Sequence, residues 1–287
     1  MVQRVDELVP LLDLEQIEVG LFRGVHPKTR MQRSFGGQVL AQALNAAIRT
    51  VDPERAVHSL HSYFLRPGST DAPIIYDVEL TRDGGSFTSR RVVARQHGKE
   101  IFHMAASFQK HEEGLEHQDP KPSTPEPDEC PKLVDVLAAA HGRDMGVWSQ
   151  EWGVLDVRMV GDSRPGRPHV PAENHAGHSR VWVRVDGELP EIPHIHSCAT
   201  AWASDLTLLA ASVVPHPEVV WGSPQVQAAS LDHAMWFHRP IRADEWWLYD
   251  QTTTSAQNDR GMSLGRIFQD GKLVATVAQE GLVRVRS

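Results

Sequence analysis

The sequence predicts an α+β fold made of two tandem copies of one unit, each a helix packed against an antiparallel sheet. The first observation behind this reading is an internal repeat. Shifting the chain by 173 residues superposes Phe64, Arg66 and Pro67 on Phe237, Arg239 and Pro240, and Tyr76 and Asp77 on Tyr249 and Asp250. The same shift places Gln96, Gly98 and Lys99 on Gln269, Gly271 and Lys272. From Phe64 to Ala105 the register needs no gap and gives 11 identities in 42 positions, where average residue usage predicts roughly 2 or 3. The second observation is that each copy shows one helical stripe followed by several strand-like runs, the order of a meander packed on a helix.

In the first copy, Gly36 and Gly37 precede a segment in which Val39, Leu40, Ala43, Leu44, Ala47 and Ile48 recur with a helical period, the mark of a buried, Ala-rich helix. Strand-like runs follow at 57–65, 74–81, 88–96 and 100–109, separated by the turn signals Arg66-Pro-Gly, Arg82-Asp-Gly-Gly and His97-Gly-Lys. The second copy repeats the plan with a helix near Cys198 to Val213 and strands at 226–237, 247–254, 262–268 and 273–284. Five prolines between Asp119 and Pro131 predict an extended crossover without a core of its own. Residues 154–185 are expected to supply the first strands of the second unit. The predicted boundaries are 1–115 for the first unit, 116–154 for the Pro-rich linker and crossover, and 155–287 for the second unit.

Composition narrows the function classes. An apolar fraction of 40% and a charged fraction of 23% are ordinary for globular chains and exclude global disorder. The apolar stretch from Ile192 to Pro217 is interrupted by Asp205 and by scattered His, Ser and Thr, so it predicts no membrane span. A formal charge of −8 argues against nucleic acid or an anionic membrane as the main partner. The acidic start MVQRVDELVPLL is unlike a signal peptide, Cys130 and Cys198 imply no disulfide framework, and Arg286-Ser287 form no peroxisomal address. The expected compartment is the cytoplasm.

Under the 173-residue shift, Val57 corresponds to Ser230 and Ala106 to Gln279, so two apolar positions of the first copy are polar in the second. A duplicated unit can keep chemistry in one copy and scaffold in the other, and this pattern points to the second. Asp205 is the one formally charged residue between Glu191 and Glu218 and has Ala201, Trp202, Leu208 and Leu209 as its helical neighbours. A carboxylate there is either exposed on a polar face or buried with partners, because burial without them is costly.

Phe35-Gly-Gly-Gln38, the string from His58 to Gly68, Ala203-Ser-Asp-Leu206, the string from Leu231 to Pro240 and Val277-Ala-Gln-Glu-Gly281 together resemble the type II acyl-CoA thioesterase family. These strings run in order through both halves. The resemblance implies a tandem double hotdog, each unit a long helix wrapped by an antiparallel sheet. It also implies hydrolysis of acyl-CoA to free fatty acid and CoA by a water held among Asp205, Ser230 and Gln279, with no cofactor or metal. Many relatives carry Thr where this chain has Ser230, which keeps the hydroxyl and loses the methyl that stiffens χ1. Association into a homodimer or homotetramer is implied in the same way. A hydratase or dehydratase of the same fold, or an acyl-CoA-binding protein without catalysis, are the alternative functions, and release of thiol from a saturated acyl-CoA separates them.

Three further patterns compete for the site. Gly261-Met-Ser-Leu-Gly265 matches G-x-S-x-G around Ser263, but strand-like sequence follows it and no His occurs after His238. His194-x-His196 and the group His169, His175 and His178 lack the spacing of a zinc motif. His58 stands as the alternative base or CoA contact in the first copy.

Overall fold

The computed structural model describes residues 2–142, 145–164 and 177–286. A short amphipathic helix, α1 (Val5–Leu12), opens it and buries Leu8, Leu11 and Leu12. The first unit continues with β1 (Glu15–Glu18), β2 (Leu21–Gly24), α2 (Gly36–Ile48), β3 (Arg55–Phe64), β4 (Ile74–Asp83), β5 (Phe87–Gln96) and β6 (Lys99–Lys110). A 3₁₀ turn at Pro127–Glu129 and two short helices, α3 (Leu133–His141) and α4 (Gly146–Trp152), cross to the second unit. There β7 (Leu155–Asp162) and β8 (His178–Val185) precede α5 (Pro193–Ser204), a 3₁₀ segment at Leu209–Val213, β9 (Val226–Ser230), β10 (Asp232–Phe237), β11 (Trp247–Gln257), β12 (Arg260–Gln269) and β13 (Lys272–Val285).

The strands form one sheet in the order β1-β2-β4-β5-β6-β3-β10-β13-β12-β11-β8-β7, with β9 paired to β13. Read from either end, corresponding strands of the two copies occupy corresponding places. The copies meet where β3 pairs antiparallel with β10, and there His61 lies opposite Ala234. These two residues are equivalents under the 173-residue shift, so a pseudo-two-fold axis passes through that pair. The repeat extends to the hairpins: His97 and Gly98 have φ of 50° and 72°, and their equivalents Asp270 and Gly271 have 50° and 75°. Two consecutive left-handed residues suit the tight turn whose twist matches the flanking strands.

Alternation puts Ile74, Tyr76 and Val78 of β4 inside and Asp77 and Glu79 outside. α2 is buried from Gly37 to Ala47, because sheet covers one side and α5 and α1 the other. Each unit is thus a helix wrapped by an antiparallel sheet, the tandem double hotdog. The polar residues of α2 are spent on its surroundings. Gln42 and Asn45 donate from their side-chain amides to the Leu11 and Leu12 carbonyls at 2.7 and 2.6 Å, closing the open end of α1.

Two short helices, Leu133–His141 and Gly146–Trp152, follow the Pro-rich stretch, and Leu133 is buried. Two expectations are corrected. The strand expected over 226–237 breaks at Leu231, whose N–H and carbonyl are taken by the Glu280 carbonyl and the Phe64 N–H. The helix expected from Cys198 to Val213 begins at Pro193 and ends at Ser204. It stops because the Ser204 hydroxyl turns back to the Ala201 carbonyl at 2.9 Å and the Tyr249 hydroxyl donates to the Ser204 carbonyl at 3.2 Å.

α2 and α5 pack so closely that a Cβ on Gly37 would lie 2.3 Å from the Trp202 carbonyl oxygen. Gly37→Ala is therefore expected to force the helices apart and cost about 1–3 kcal/mol, read as a lower urea midpoint. Gly85→Ala, where an added Cβ meets nothing within 4 Å, should leave the midpoint unchanged, and equal midpoints for both variants would refute the close-packing argument.

Candidate active site

Asp205 is the residue on which α5 ends, and its side chain is only 3% exposed. The exposed reading of this carboxylate is therefore set aside. Two strands of the second unit reach it. Ser230, at the end of β9 beside the Leu231 break, donates from Oγ to Asp205 Oδ1 at 3.0 Å. Gln279, fully buried in β13, donates from Nε2 to the same Oδ1 and, at 2.9 Å, to Ser230 Oγ. The three residues singled out in the sequence thus form one hydrogen-bonded cluster.

The first unit supplies a fourth partner that the sequence did not reveal. The backbone N–H of Gly37, in the first turn of α2, hydrogen-bonds the Asp205 carboxylate. A Cβ on Gly36 would lie 2.6 Å from Asp205 Oδ2, so only glycine lets the helix terminus approach so near. First-turn amides have no carbonyl partner within their helix and favour negative charge. The signal was the Gly36-Gly37 pair at the predicted helix start, but its target lies about 170 residues away.

Burial dominates the electrostatics. It raises the Asp205 carboxyl from 3.8 to about 6, although the bonds from Gln279, Ser230 and Gly37 all favour the ionised form. His233 of β10, also fully buried, has Nδ1 at 3.9 Å from Asp205 Oδ1. Burial lowers its ring to about 3, so it stays neutral beside the carboxylate. Its Nε2 lies 3.0 Å from Ser204 Oγ. That hydroxyl already donates to Ala201, so Nε2 carries the hydrogen and donates, while Nδ1 is the bare nitrogen. His233 thereby ties β10 to the residue that precedes Asp205, a role its place in the Leu231–Pro240 string did not reveal.

The rival candidates lie elsewhere. Ser263 is buried in the middle of β12 with strand on both sides, and its flanking glycines are packing requirements. A Cβ on Gly261 would meet Ser212 at 2.5 Å, and one on Gly265 the Tyr249 ring at 2.3 Å. His58 shares a 2.8 Å hydrogen bond with Ser107 and lies edge-on to Phe87, both in the first unit. His196 accepts the Ala243 N–H at 3.2 Å through Nδ1 and sits 3.6 Å from Asp244. His169 and His175 lie outside the described residues. Among the described residues no three His, Cys, Asp or Glu side chains gather as a metal centre would require.

The chain is similar to known proteins along nearly its whole length. A family model described as acyl-CoA thioesterase matches residues 161–282, and one described as acyl-CoA thioesterase N-terminal domain matches residues 25–109. Human acyl-coenzyme A thioesterase 8 is 38% identical over 288 residues, covering 96% of this chain and 88% of the human protein. Acyl-CoA thioesterase 2 of Haemophilus influenzae is 36% identical over 284 residues, covering 97% of both chains. The crystal structure of an acyl-CoA thioesterase II from Mycobacterium marinum matches with a TM-score of 0.84 and 46% identity, covering 98% of this chain and 99% of that one. A hot dog fold protein from Alicyclobacillus acidocaldarius, at 19% identity and a TM-score of 0.73 over 98% of each chain, shares the fold.

The raised Asp205 carboxyl has a consequence for stability. In the unfolded chain it ionises near 3.8, whereas the folded protein keeps the proton up to about 6. Its contribution to stability is therefore full below the unfolded value and is lost as pH rises through about 6. Urea unfolding of wild type and Asp205→Asn between about pH 7.5 and about pH 4 should show wild type gaining about 2 kcal/mol on the variant as pH falls. Parallel curves for the two proteins would mean that the carboxyl is not held in a raised state.

Proposed function

The chain belongs to the acyl-CoA thioesterase family, and from that premise we propose that Asp205 is the general base for a water that Gln279 and Ser230 orient. The observation that carries this reading is the shared Oδ1. Ser230 spends its hydroxyl hydrogen on it, and Gln279 spends both Nε2 hydrogens on it and on Ser230. Gln279 Oε1 is then a buried acceptor that takes no hydrogen bond from any described residue. A water that gives one hydrogen to the carboxylate and the other to Gln279 Oε1 has its lone pair directed away from both, toward a thioester carbonyl.

The reaction follows from these groups. The water oxygen attacks the carbonyl carbon as its proton passes to Asp205, and the carbonyl oxygen becomes an oxyanion. The positive end of α2, at Gly36 and Gly37, stabilises negative charge in this region. Collapse of the tetrahedral species breaks the C–S bond, and the CoA thiolate takes the proton that Asp205 holds. A thiol with pKa near about 8.5 leaves without a strong acid, so a carboxyl poised at about 6 serves as base and then as donor.

The base, hydroxyl and amide all belong to residues 155–287, while residues 1–115 lend the α2 terminus and 116–154 connect the two. A cytoplasmic setting is supported by the two free, buried cysteines, Cys130 and Cys198. Assembly into a dimer or tetramer is supported by exposed Tyr63 and Leu65, and sedimentation showing only monomer at micromolar concentration would reject it.

Asp205→Asn should lower kcat on a saturated acyl-CoA by about 10²-fold or more. Gln279→Ala should give a comparable or smaller loss, and Ser230→Thr should keep most of the activity because the hydroxyl remains. Wild-type kcat/KM should fall as pH drops below about 6, following protonation of the base. Near wild-type thiol release by Asp205→Asn would defeat this assignment and turn attention to His58.

A further inference from the structure

Acyl-CoA brings several phosphate charges to a chain of net charge −8, so its nucleotide end needs local cations. Most arginines here are already committed. Arg180 and Arg266 hold the buried Asp250, Arg158 holds Asp156, and Arg66 and Arg239 donate to the Glu100 and Leu273 carbonyls. Arg30 and Arg33 are different. Both are exposed, and among the described residues neither guanidinium has an ion pair or a hydrogen bond. Arg82, at the outer end of β4, shares that condition, but Asp83 follows it in the chain and the neighbouring Arg55 and Arg90 are already bonded to that turn.

The segment that carries them runs from β2 into α2. It is His26-Pro-Lys-Thr-Arg-Met-Gln-Arg33, with three cations and no carboxylate. Its backbone is held in place. Glu151 of α4 accepts from Thr29 Oγ1 at 2.7 Å and from the Arg30 N–H at 2.9 Å. At its start, Gln38 Nε2 donates to the Val25 carbonyl and lies 3.0 Å from His26 Nδ1. A cavity lies beneath it, lined by His26, Arg33, Phe35, Gln38, Glu151 and Trp202. Phe35 stands edge-on to Trp202, and the Trp202 carbonyl lies against Gly37, so the segment leads into the α2 terminus that faces Asp205.

We propose that Arg30 and Arg33 bind the phosphate groups of coenzyme A. Glu151 lines the cavity, which has room for about one water, and makes its interior unfavourable for phosphate. The phosphates belong outside, at the rim the two arginines occupy, where guanidinium groups match phosphate oxygens in pairs.

This inference rests on hydrolysis of acyl-CoA at Asp205, and two substrates separate it from that reading. One is an acyl-CoA, and the other is the same acyl group on N-acetylcysteamine, which has the thioester without phosphates. In Arg30→Ala/Arg33→Ala, KM for the acyl-CoA should rise about 10-fold or more with kcat unchanged, since removing one charge-assisted hydrogen bond to phosphate weakens binding about tenfold. KM and kcat for the N-acetylcysteamine thioester should stay at wild-type values, and so should the urea midpoint. An unchanged KM for acyl-CoA would overturn the proposal. So would an equal loss on both substrates. If wild type released thiol from neither substrate, the failure would lie with the hydrolytic reading itself.

Discussion

The contact on which the rest of this structure depends is the approach of the α2 N-terminus to the carboxylate at the end of α5. An ionised carboxylate in an apolar interior is expensive unless donors surround it. Here the donors come from three chain segments: a hydroxyl from β9, an amide from β13 and a backbone N–H from the other unit. The backbone donor is within reach only because positions 36 and 37 lack a Cβ. The fusion of two units in one chain is thus a condition of the site as well as of the sheet. Neither unit alone encloses Asp205, since the second holds the acid and the first closes over it.

Much of the fold was legible because duplication prints itself on sequence. Strands β4, β5 and β6 begin at Ile74, Phe87 and Lys99, and the 173-residue shift carries these onto Trp247, Arg260 and Lys272, where β11, β12 and β13 begin. Even the left-handed hairpin residues are shared. The helices do not obey the same shift. α2 starts at Gly36 and α5 at Pro193, so the second copy carries extra residues between its helix and β10, and these form the 3₁₀ segment and the approach to β9. That insertion is why the end of α5 was misplaced and why the strand before Phe237 is broken. Both faults lie where the chain departs from its own repeat to bring Asp205 and Ser230 together.

The site was half legible for a related reason. Ser230 and Gln279 stood out against Val57 and Ala106, and Asp205 against its apolar surroundings, because each is a polar departure from a pattern that burial enforces. Gly37 and His233 break no such pattern. A glycine at a helix start and a histidine in a strand have ordinary structural uses, and only tertiary structure shows that one donates to Asp205 and the other anchors its neighbour Ser204. The G-x-S-x-G match is the converse case. Its glycines answer to Ser212 and Tyr249, and its serine faces the core.

The pseudo-two-fold axis poses a last question: whether a second site exists at the mirrored place, where the α5 N-terminus meets the α2 C-terminus. The residues there answer it. α5 begins with Pro193 and His194 where α2 begins with Gly36 and Gly37, so the close approach that two residues without a Cβ allow is not available there. α2 ends on Arg49 where α5 ends on Asp205, and that arginine is turned to the Leu14 carbonyl and the Phe22 ring. Burial lowers the nearby His194 ring, and positive charge from Arg49 lowers it further. Val57 and Ala106 complete the difference by replacing the hydroxyl and the amide with apolar side chains. The carboxylate, hydroxyl and amide that the proposed hydrolysis needs are thus missing from one end of the helix pair and present at the other. A dimer of identical units would repeat both ends alike; a fused pair is free to divide them, and on the proposed reading this chain has one site for each two units.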